Sequence, residues 1–217
     1  MAIPAIAPYE IPRVEASGAA AWSVDVSRSA LLIHDMQNYF VRAYRVSDEP
    51  VRSAVANMRM MVERARALGV PVLYSAQPVA QHAYRRGLLR DVWGEGMQRA
   101  EDAEIIAELA PAECDVVLTK WRYSAFERTD LEQVLKVAGR DQLVITGVYG
   151  HMGCMVTAVD AFMKDIQPFF VVDAIADFSA EEHEMAARWV AKRAGCVVSS
   201  AQVVESWDRA HTAGGDE

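Results

Sequence analysis

Six short, almost continuously apolar runs alternate with longer segments in which apolar residues recur every three or four positions. The runs lie at residues 30–34, 70–75, 116–119, 142–146, 169–173 and 196–199. Uninterrupted apolar character indicates strands whose two faces are both covered, as in a parallel sheet between helices. The alternation of strand and helix predicts βαβ units and therefore a doubly wound, three-layer α/β/α fold.

Three of the intervening segments carry helix start and stop signals. The first begins at Pro50, repeats apolar residues with the 3.6-residue period of a helix, and ends at Gly69. Two others begin with a capping box, in which Ser or Thr is followed three residues later by Glu. The boxes and the glycines that end their helices are Thr129 with Glu132 and Gly139, and Ser179 with Glu182 and Gly195.

The chain of 217 residues fits one domain spanning residues 1–217. Residues 1–24 have little periodicity and are predicted to form an extended N-terminal arm that packs on the domain. Residues 208–217 are predicted to be a flexible tail. Residues 1–24 lack a basic start and an apolar core, so no secretory signal is expected.

Composition narrows the classes of protein that remain. The net charge is -8 and the acidic residues are spread along the chain, which argues against nucleic-acid binding. No apolar run approaches 18 residues, so no membrane span is expected. Three cysteines without a CxxC motif favour a reduced, cytoplasmic setting. Any binding site for an anion must be built locally from a few Lys and Arg side chains.

In doubly wound sheets the ligand crevice lies beyond the carboxyl ends of the strands. Residues 34–37, 76–78, 120–123 and 147–154 occupy these positions. Asp35, at the end of an apolar run, is either a partly desolvated general acid or a helix N-cap. Lys120 either holds a substrate carboxylate and tunes Asp35 or is a solvated charge. The rings and cations at residues 121–126 favour a site for an unsaturated carboxylate.

A long connection around residues 85–93 has weak strand and helix signals and is a candidate binding loop. Within it, Arg86 is either a bidentate clamp for a carboxylate or a solvated surface arginine.

The turn at residues 147–154 raises the question of a nucleophile. Gly147, Gly150 and Gly153 form GxxGxxG, which is not the dinucleotide fingerprint GxGxxG. Cys154 lies in the first turn of the next helix and is either a nucleophile or a small buried hydrophobe. The five histidines show no ligand spacing, and Gln77 stands where an Asp-x-His metal motif would begin, so neither a metal nor another cofactor is expected.

Several long strings together resemble the isochorismatase family across nearly the whole chain. They are LLIHDMQNYF, YSAQP, RGLL with WGEGM, TKWRYSAF, GVYGHMGCM and VDAFMKDIQPFFVVDAIADFS. The resemblance implies an isochorismatase-like hydrolase fold with a six-stranded parallel sheet in the order 321456, and hydrolysis without a metal.

The resemblance also implies roles for individual residues. Asp35 would be the essential acid, with Lys120 as its neighbour. The residues that would contact or enclose the substrate are Gln77, Arg86 and Tyr149, the apolar wall of Phe40 and Trp93, and Gly153, which would leave room for the ligand. In related nicotinamidases the catalytic cysteine aligns with Gly153. Cys154 lies about 100° further around the helix and should point away from the substrate.

The expected reaction is hydrolysis of the enolpyruvyl ether of isochorismate or 2-amino-2-deoxyisochorismate, as in siderophore or phenazine biosynthesis. The alternatives are a cysteine-dependent amidohydrolase on the same fold and a non-catalytic module that interacts with a carrier protein. No aryl carrier domain is expected within the chain, although a separate carrier protein could dock. Family members commonly associate, so a homodimer is expected.

Overall fold

A seven-stranded sheet forms the middle layer of the computed structural model, which describes residues 3–14, 17–18 and 20–213. The strands are β1 (Ser17–Gly18), β2 (Ser29–His34), β3 (Val72–Ala76), β4 (Val116–Thr119), β5 (Gln142–Val148), β6 (Gln167–Ala176) and β7 (Cys196–Val198). Their order across the sheet is β1-β7-β6-β5-β2-β3-β4. The doubly wound α/β class predicted from the sequence is confirmed.

The six strands from β2 to β7 are mutually parallel. Counted among themselves, they run in the order 321456 that the resemblance implies. The added strand is β1, which pairs antiparallel with β7. A β-carbon on Gly18 would collide with the sulfur of Cys196, so this edge needs a glycine. Because β1 is only two residues long, it cannot show an alternation of polar and apolar positions, and the pattern along the chain does not reveal it.

Helices cover both faces of the sheet. They are α1 (Asn38–Val41), α2 (Val51–Ala67), α3 (Ala83–Arg86), α4 (Leu89–Trp93), α5 (Ala100–Ala103), α6 (Leu131–Val137), α7 (Met155–Met163), α8 (Ala180–Arg193) and α9 (Ser200–Ala213), with a 3₁₀ turn at Ala107–Leu109 and a π-helical turn at Gly150–Cys154. None of the helices in the described part of the chain is long and apolar enough to cross a membrane.

Two apolar clusters form the core, one on each face. Along β2, Leu31 and Ile33 belong to the cluster that includes the buried residues of α2 and α9, whereas Ala30 and Leu32 belong to the cluster that includes those of α6, α7 and α8. Successive side chains of a strand point to opposite faces, so an uninterrupted apolar run supplies both clusters.

The helix ends follow the predicted signals with one exception. The backbone of α2 begins after Pro50, and Gly69 beyond its end has φ +69°. At α8, Ser179 Oγ accepts the N–H of Glu182 at 3.2 Å. The box predicted at Thr129 is wrong, because Asp130 is the N-cap of α6. Thr129 Oγ1 accepts the N–H of Leu131 instead, and its hydroxyl donates to the carbonyl of Ala125.

The two ends of the chain pack differently from each other. Residues 3–14 have no regular structure and lie against the domain, with Ile6 buried and its N–H bonded to the carbonyl of Ala43 at 2.8 Å. Helix α9 extends to Ala213 and so includes residues 208–213 of the predicted tail, whose flexibility stays a prediction. This helix is anchored by Trp207, which is fully buried and donates to Ser29 Oγ at 2.9 Å. Residues 214–217 lie outside the described residues.

Candidate active site

A pocket lies at the carboxyl ends of β2, β3, β4 and β5. Asp35 directly follows β2, Gln77 follows β3, Lys120 follows β4 and Tyr149 follows β5. Parallel neighbouring strands bring these four ends together, since they all finish at the same edge of the sheet. The pocket lining includes every residue that the resemblance places beside the substrate: Asp35, Phe40, Gln77, Arg86, Trp93, Lys120, Tyr149 and Gly153.

Asp35 lies at the floor of this pocket and is only 4% exposed. Its Oδ1 accepts a hydrogen bond from Ser75 Oγ at 2.8 Å, and its Oδ2 accepts one from Lys120 Nζ at 2.8 Å. Gln77 Nε2 lies 3.4 Å from the same Oδ2. The backbone of Asp35 is left-handed, with φ +50°, and its N–H bonds to the carbonyl of Ser75 at 3.1 Å. Strained backbone of this kind is typical of functional positions.

The surroundings of Asp35 have opposing effects on its pKa. Burial raises the pKa and is the largest single influence. The positive charge of Lys120, the neighbouring His34 and the hydrogen bonds from Lys120 and Ser75 all lower it, and together they leave the pKa of Asp35 below its usual value. In the unliganded protein Asp35 is therefore a carboxylate near neutral pH.

Lys120 is 1% exposed, and its backbone N–H donates to the carbonyl oxygen of Ala76 at 2.9 Å. The alternative of a solvated surface charge is wrong. A buried ion pair is costly to dehydrate, and removing one partner leaves the other uncompensated. Such an arrangement indicates a pair kept for chemistry or binding.

Arg86 is buried beside the same pocket, which contradicts its interpretation as a surface arginine. Its Nε donates to the carbonyl oxygen of Gly94. No carboxylate among residues 3–14, 17–18 and 20–213 forms an ion pair with it, and burial lowers the pKa of its guanidinium. A buried cation without an anionic partner in the protein favours an anionic ligand.

Aromatic side chains form the opposite wall. Tyr149 Oη donates to the carbonyl oxygen of Phe40 at 2.8 Å, and the two rings meet edge to face at 6.0 Å. Trp93 Nε1 donates to Tyr123 Oη at 2.7 Å, which joins the connection at residues 83–93 to the loop after β4. The polar atoms of Tyr149 and Trp93 thus bond to other protein groups, which leaves their rings as an apolar wall for a ligand.

Gly153 makes room for a protein side chain. A β-carbon on Gly153 would overlap the imidazole carbon Cε1 of His34. The ring of His34 is fully buried, with Nδ1 2.9 Å from the carbonyl oxygen of Val148 and Nε2 3.3 Å from that of Tyr123. Burial lowers the pKa of His34 to about 4, so the ring is neutral. The glycine is therefore needed beside His34, and because Gly153 also lines the pocket its role in leaving room for the ligand stays a prediction.

Cys154 does not reach the pocket. Its side chain is fully buried in the apolar cluster that includes residues of α7 and α8, and Sγ faces the carbonyl oxygen of Thr146 at 3.9 Å. Burial raises the pKa of the thiol well above its usual value. A buried thiol with a raised pKa is a poor nucleophile, so Cys154 acts as a small core residue.

Three residues without a role assigned from the sequence matter for the site: His34 and Tyr39 line the pocket, and Ser75, outside the lining, donates to Asp35. Ser75 and His34 lie inside predicted strands, where a polar side chain in an apolar run is the signal that could have found them. Tyr39 lines the pocket through its ring, and its hydroxyl makes no hydrogen bond with any described residue. Only the fold reveals that this hydroxyl is available to a ligand.

A second polar cluster lies behind the π-helical turn. His151 Nδ1 is 2.5 Å from Asp177 Oδ1, the N–H of His151 bonds to Asp177 Oδ2 at 2.5 Å, and Nε2 lies 3.9 Å from Glu182 Oε1. One ligand atom from each of these three residues lies within 4.8 Å of the other two, which is a spacing compatible with a metal ion. The imidazole presents a different nitrogen to each carboxylate, however, so the arrangement suits a protonated ring with one N–H toward each carboxylate better than a metal ion.

Comparison with known sequences gives matches along most of the chain. A family model described as the Isochorismatase domain matches residues 29–202. The chain is 48% identical over 213 residues to "Isochorismatase" of Bacillus subtilis, covering 97% of this chain and 68% of that protein. It is 45% identical to "Enterobactin synthase component B" of Escherichia coli, covering 94% and 73%. It is 46% identical to "Phenazine biosynthesis protein PhzD" of Pseudomonas fluorescens, covering 93% and 98%.

Solved structures share the fold at lower identity. A cysteine hydrolase from Pseudomonas syringae superposes with a TM-score of 0.80 at 26% identity, covering 87% of this chain and 96% of that one. The N-carbamoylsarcosine amidase of Thermoplasma acidophilum gives a TM-score of 0.67 at 28% identity, covering 80% and 96%. The fold therefore hosts cysteine chemistry elsewhere, and the pocket residues must distinguish this chain from those proteins.

Proposed function

Because this chain belongs to the isochorismatase family, and is therefore a hydrolase related to enzymes that act on an enol ether, we propose that it hydrolyses the enolpyruvyl ether of isochorismate or of 2-amino-2-deoxyisochorismate. The observation that carries this proposal is a buried carboxyl group, Asp35, in the same pocket as Arg86, which has no carboxylate partner among the described residues. The thiol of Cys154 does not reach this pocket. An enol ether can be cleaved by proton transfer alone, without a nucleophilic side chain.

Asp35 is the general acid of the proposed reaction. Its carboxyl proton moves to the terminal methylene carbon of the enol ether, and the C=C electron pair forms the new C–H bond. The oxocarbenium ion that results is attacked by water, whose proton returns to the carboxylate of Asp35. The hemiketal hydroxyl then loses its proton and becomes the ketone of pyruvate, while the bond between the former vinyl carbon and the ether oxygen breaks. That oxygen takes up a proton and stays on the ring of the dihydro-diol or the corresponding amino alcohol.

The substrate supplies the protonated state that this acid requires. Burial raises the pKa of Asp35, but in the free protein the charge of Lys120 and the hydrogen bonds from Lys120 and Ser75 outweigh it and leave the pKa lowered. A dianionic substrate placed in the pocket opposes a third negative charge and displaces water, and both effects raise the pKa of Asp35. Lys120 keeps the carboxylate stable between turnovers.

Arg86 and Tyr39 are the proposed carboxylate-binding groups. The guanidinium has no carboxylate partner among the described residues, and the phenol hydroxyl is available. Gln77 supplies an amide to the ligand from the side of Asp35, and Phe40, Trp93 and Tyr149 enclose the apolar part of the substrate. Bidentate binding by Arg86 fixes the enolpyruvyl group relative to Asp35.

A cysteine amidohydrolase is the alternative on this fold. The position of Cys154 in the core and the imidazole of His34 against Gly153 both argue against it. A non-catalytic module that interacts with a carrier protein is the alternative from another class. Release of pyruvate by the purified chain separates that alternative from the proposed enzyme.

The decisive test is Asp35→Asn. Asparagine is isosteric and tolerates the left-handed backbone at φ +50°, so the change removes the acid without straining the turn. We expect kcat to fall by about 10²–10⁴-fold or more, while substrate binding measured by calorimetry persists. Cys154→Ala is the matched control and should keep kcat within about twofold, since its ΔΔG is a matter of core packing. Normal turnover by Asp35→Asn, or loss of turnover in Cys154→Ala, would refute the assignment.

Substrate choice and assembly are separate parts of the proposal. Pyruvate release measured side by side on isochorismate and its 2-amino analogue decides the substrate.

We propose a cytoplasmic homodimer. The three free cysteines support the cytoplasmic location, and exposed apolar side chains such as Leu88, which is 79% exposed, support the dimer. Sedimentation analysis tests the dimer, and a binding assay with a separate aryl carrier protein tests whether such a partner docks.

A further inference from the structure

A fully buried amide lies between the segment after β2, the segment after β3 and helix α5. It belongs to Gln37, two residues beyond Asp35. Its Nε2 donates to the carbonyl oxygens of Gln77 and Ala103, both at 2.8 Å, and its Oε1 accepts the N–H of Gln77 at 2.8 Å. Both amide hydrogens and the amide oxygen are therefore engaged by backbone groups.

The contacts of Gln37 with Gln77 replace those of a strand. Gln77 is the first residue beyond β3, and Pro78, which has no N–H, follows it. The side-chain amide of Gln37 bonds to both the N–H and the carbonyl of Gln77, as a peptide group of a neighbouring strand would. The backbone of Gln77 is thus fixed although it lies outside the sheet.

The side chain of Gln77, in contrast, is held only loosely. Its Nε2 lies 3.4 Å from Asp35 Oδ2, and its Oε1 lies 3.5 Å from Gln81 Nε2. Both distances exceed the 2.7–3.2 Å that is normal for an N–H···O hydrogen bond. The direction in which this amide points is consequently set by its backbone, which Gln37 holds.

We propose that Gln37 is a positioning residue for the reaction. It does not line the pocket and would not touch the substrate. It fixes the backbone of Gln77, so that the amide of Gln77 stays directed at Asp35 and the bound ligand. The activity readout of this inference rests on the proposed function, whereas the structural readout given below does not.

A double-mutant cycle measures this coupling. Gln37→Met keeps a similar volume but removes all three hydrogen bonds. Gln37→Glu retains an acceptor for the N–H of Gln77 but turns a carboxyl oxygen toward the carbonyl oxygens of Gln77 and Ala103, so it removes the donor half of the arrangement. We expect either change to lower kcat/KM by about 10-fold or more in the wild-type background and by less than about twofold in a Gln77→Ala background. Equal losses in both backgrounds would overturn the proposal, and Gln37→Glu serves alone if Gln37→Met does not fold.

Asn38→Ala is the matched control. Asn38 Nδ2 donates to the carbonyl oxygen of Glu101 at 2.9 Å, so it anchors the same segment that Gln37 contacts through Ala103, but it does not touch Gln77. We expect this change to lower Tm while kcat/KM stays within about twofold of wild type. A loss of kcat/KM as large as that of Gln37→Glu would mean that general loosening of the segment explains the effect, and the proposal would fail.

Hydrogen exchange gives a readout that does not depend on the reaction. The N–H of Gln77 should exchange slowly in the wild type and much faster in Gln37→Met, which removes its acceptor, while amides inside β3 remain protected. Unchanged exchange at Gln77 would refute the positioning role even if pyruvate is released. If Gln77 exchanges faster in Gln37→Met but the wild-type protein releases no pyruvate, the proposed reaction is refuted and the structural role of Gln37 is still supported.

Discussion

At the scale of single residues, the pocket is defined by where charge is buried. Asp35 and Lys120 neutralise each other at 2.8 Å, whereas Arg86 has no carboxylate partner in the described part of the chain. The free pocket thus has an excess of one positive charge although the whole chain carries a net charge of -8. Local placement rather than overall charge therefore provides the anion site.

Protonation of Asp35 on binding can be measured directly. Its pKa is lowered in the free protein and must rise when the dianionic ligand enters. We expect an unreactive dicarboxylate analogue to take up about one proton per site at neutral pH, since a carboxylate becomes a carboxylic acid. Calorimetry in buffers of different ionisation enthalpy measures this uptake, and Asp35→Asn should abolish it. Identical binding enthalpies in all buffers would contradict the proposed source of the acid.

Arg86→Met tests the carboxylate clamp. Charge-assisted hydrogen bonds contribute about 1.5–3 kcal/mol, so KM should rise by about 10- to 100-fold. The free energy of unfolding should not fall in proportion, because the change also removes an uncompensated buried charge. The neighbouring Arg85→Met is the control: Arg85 is exposed, stacks on Tyr84 and Trp121, and does not line the pocket. Similar KM values for the two variants would argue against the clamp.

At the scale of elements, the π-helical turn Gly150–Cys154 brings together the aromatic wall and the core. Met152 and Gly153 face the pocket, while Cys154 enters the apolar cluster on the other side. The turn is held from behind by Asp177, which follows β6 and binds both the N–H and the ring of His151. The end of β6 therefore fixes the shape of a turn that follows β5.

The stability of this turn should depend on pH through His151. Burial lowers the pKa of His151, but the hydrogen bond and charge of Asp177, with Glu182, outweigh it and leave the pKa raised. A raised folded-state pKa means that the stabilisation is complete below the unfolded value of about 6.5 and is lost as pH rises through the folded value. Urea midpoints from acid to alkaline pH should therefore show the gap between wild type and His151→Gln narrowing as pH rises.

His82→Gln is the control for this pH series, since His82 is exposed and lies outside the cluster. Its midpoint should follow that of the wild type across the range. A constant gap between wild type and His151→Gln would show that the imidazole contributes through packing rather than through its charge.

At the scale of the whole molecule, the N-terminal arm completes the structure around the site. Ile3 lines the pocket, and Tyr9 Oη accepts the N–H of Asp177 at 2.7 Å and lies 3.2 Å from His183 Nδ1. The arm thus joins the end of β6, α8 and the pocket, three regions that are far apart in sequence. Long-range contacts of this kind make the arm part of the cooperative unit.

Tyr9→Phe should therefore destabilise the whole domain. The change leaves the N–H of Asp177 without its acceptor in a partly buried setting, and an unsatisfied group of this kind costs about 1–3 kcal/mol. We expect a lower urea midpoint with an unchanged slope, measured by circular dichroism. A midpoint equal to that of the wild type would show that the arm contributes nothing through this hydroxyl.

Much of the site could be predicted from the chain because parallel strands end at one edge. The apolar runs located six strands, and the residues after four of them include Asp35, Gln77, Lys120 and Tyr149. The role of Gly153 was predicted incompletely, since its neighbour His34 lies 119 positions away along the chain. The last turns of α9 were missed because the burial of Trp207, rather than local propensity, holds that helix.

By itself the sequence determined the fold class, the order of elements and the residues at the edge of the sheet, because these follow from periodicity and from the short range of turn and cap signals. Only the tertiary structure decided which charges are paired, which thiol is buried and which amide is held in place. Ionisation and hydrogen bonding depend on groups brought together from distant positions, and a one-dimensional pattern carries no information on their distances.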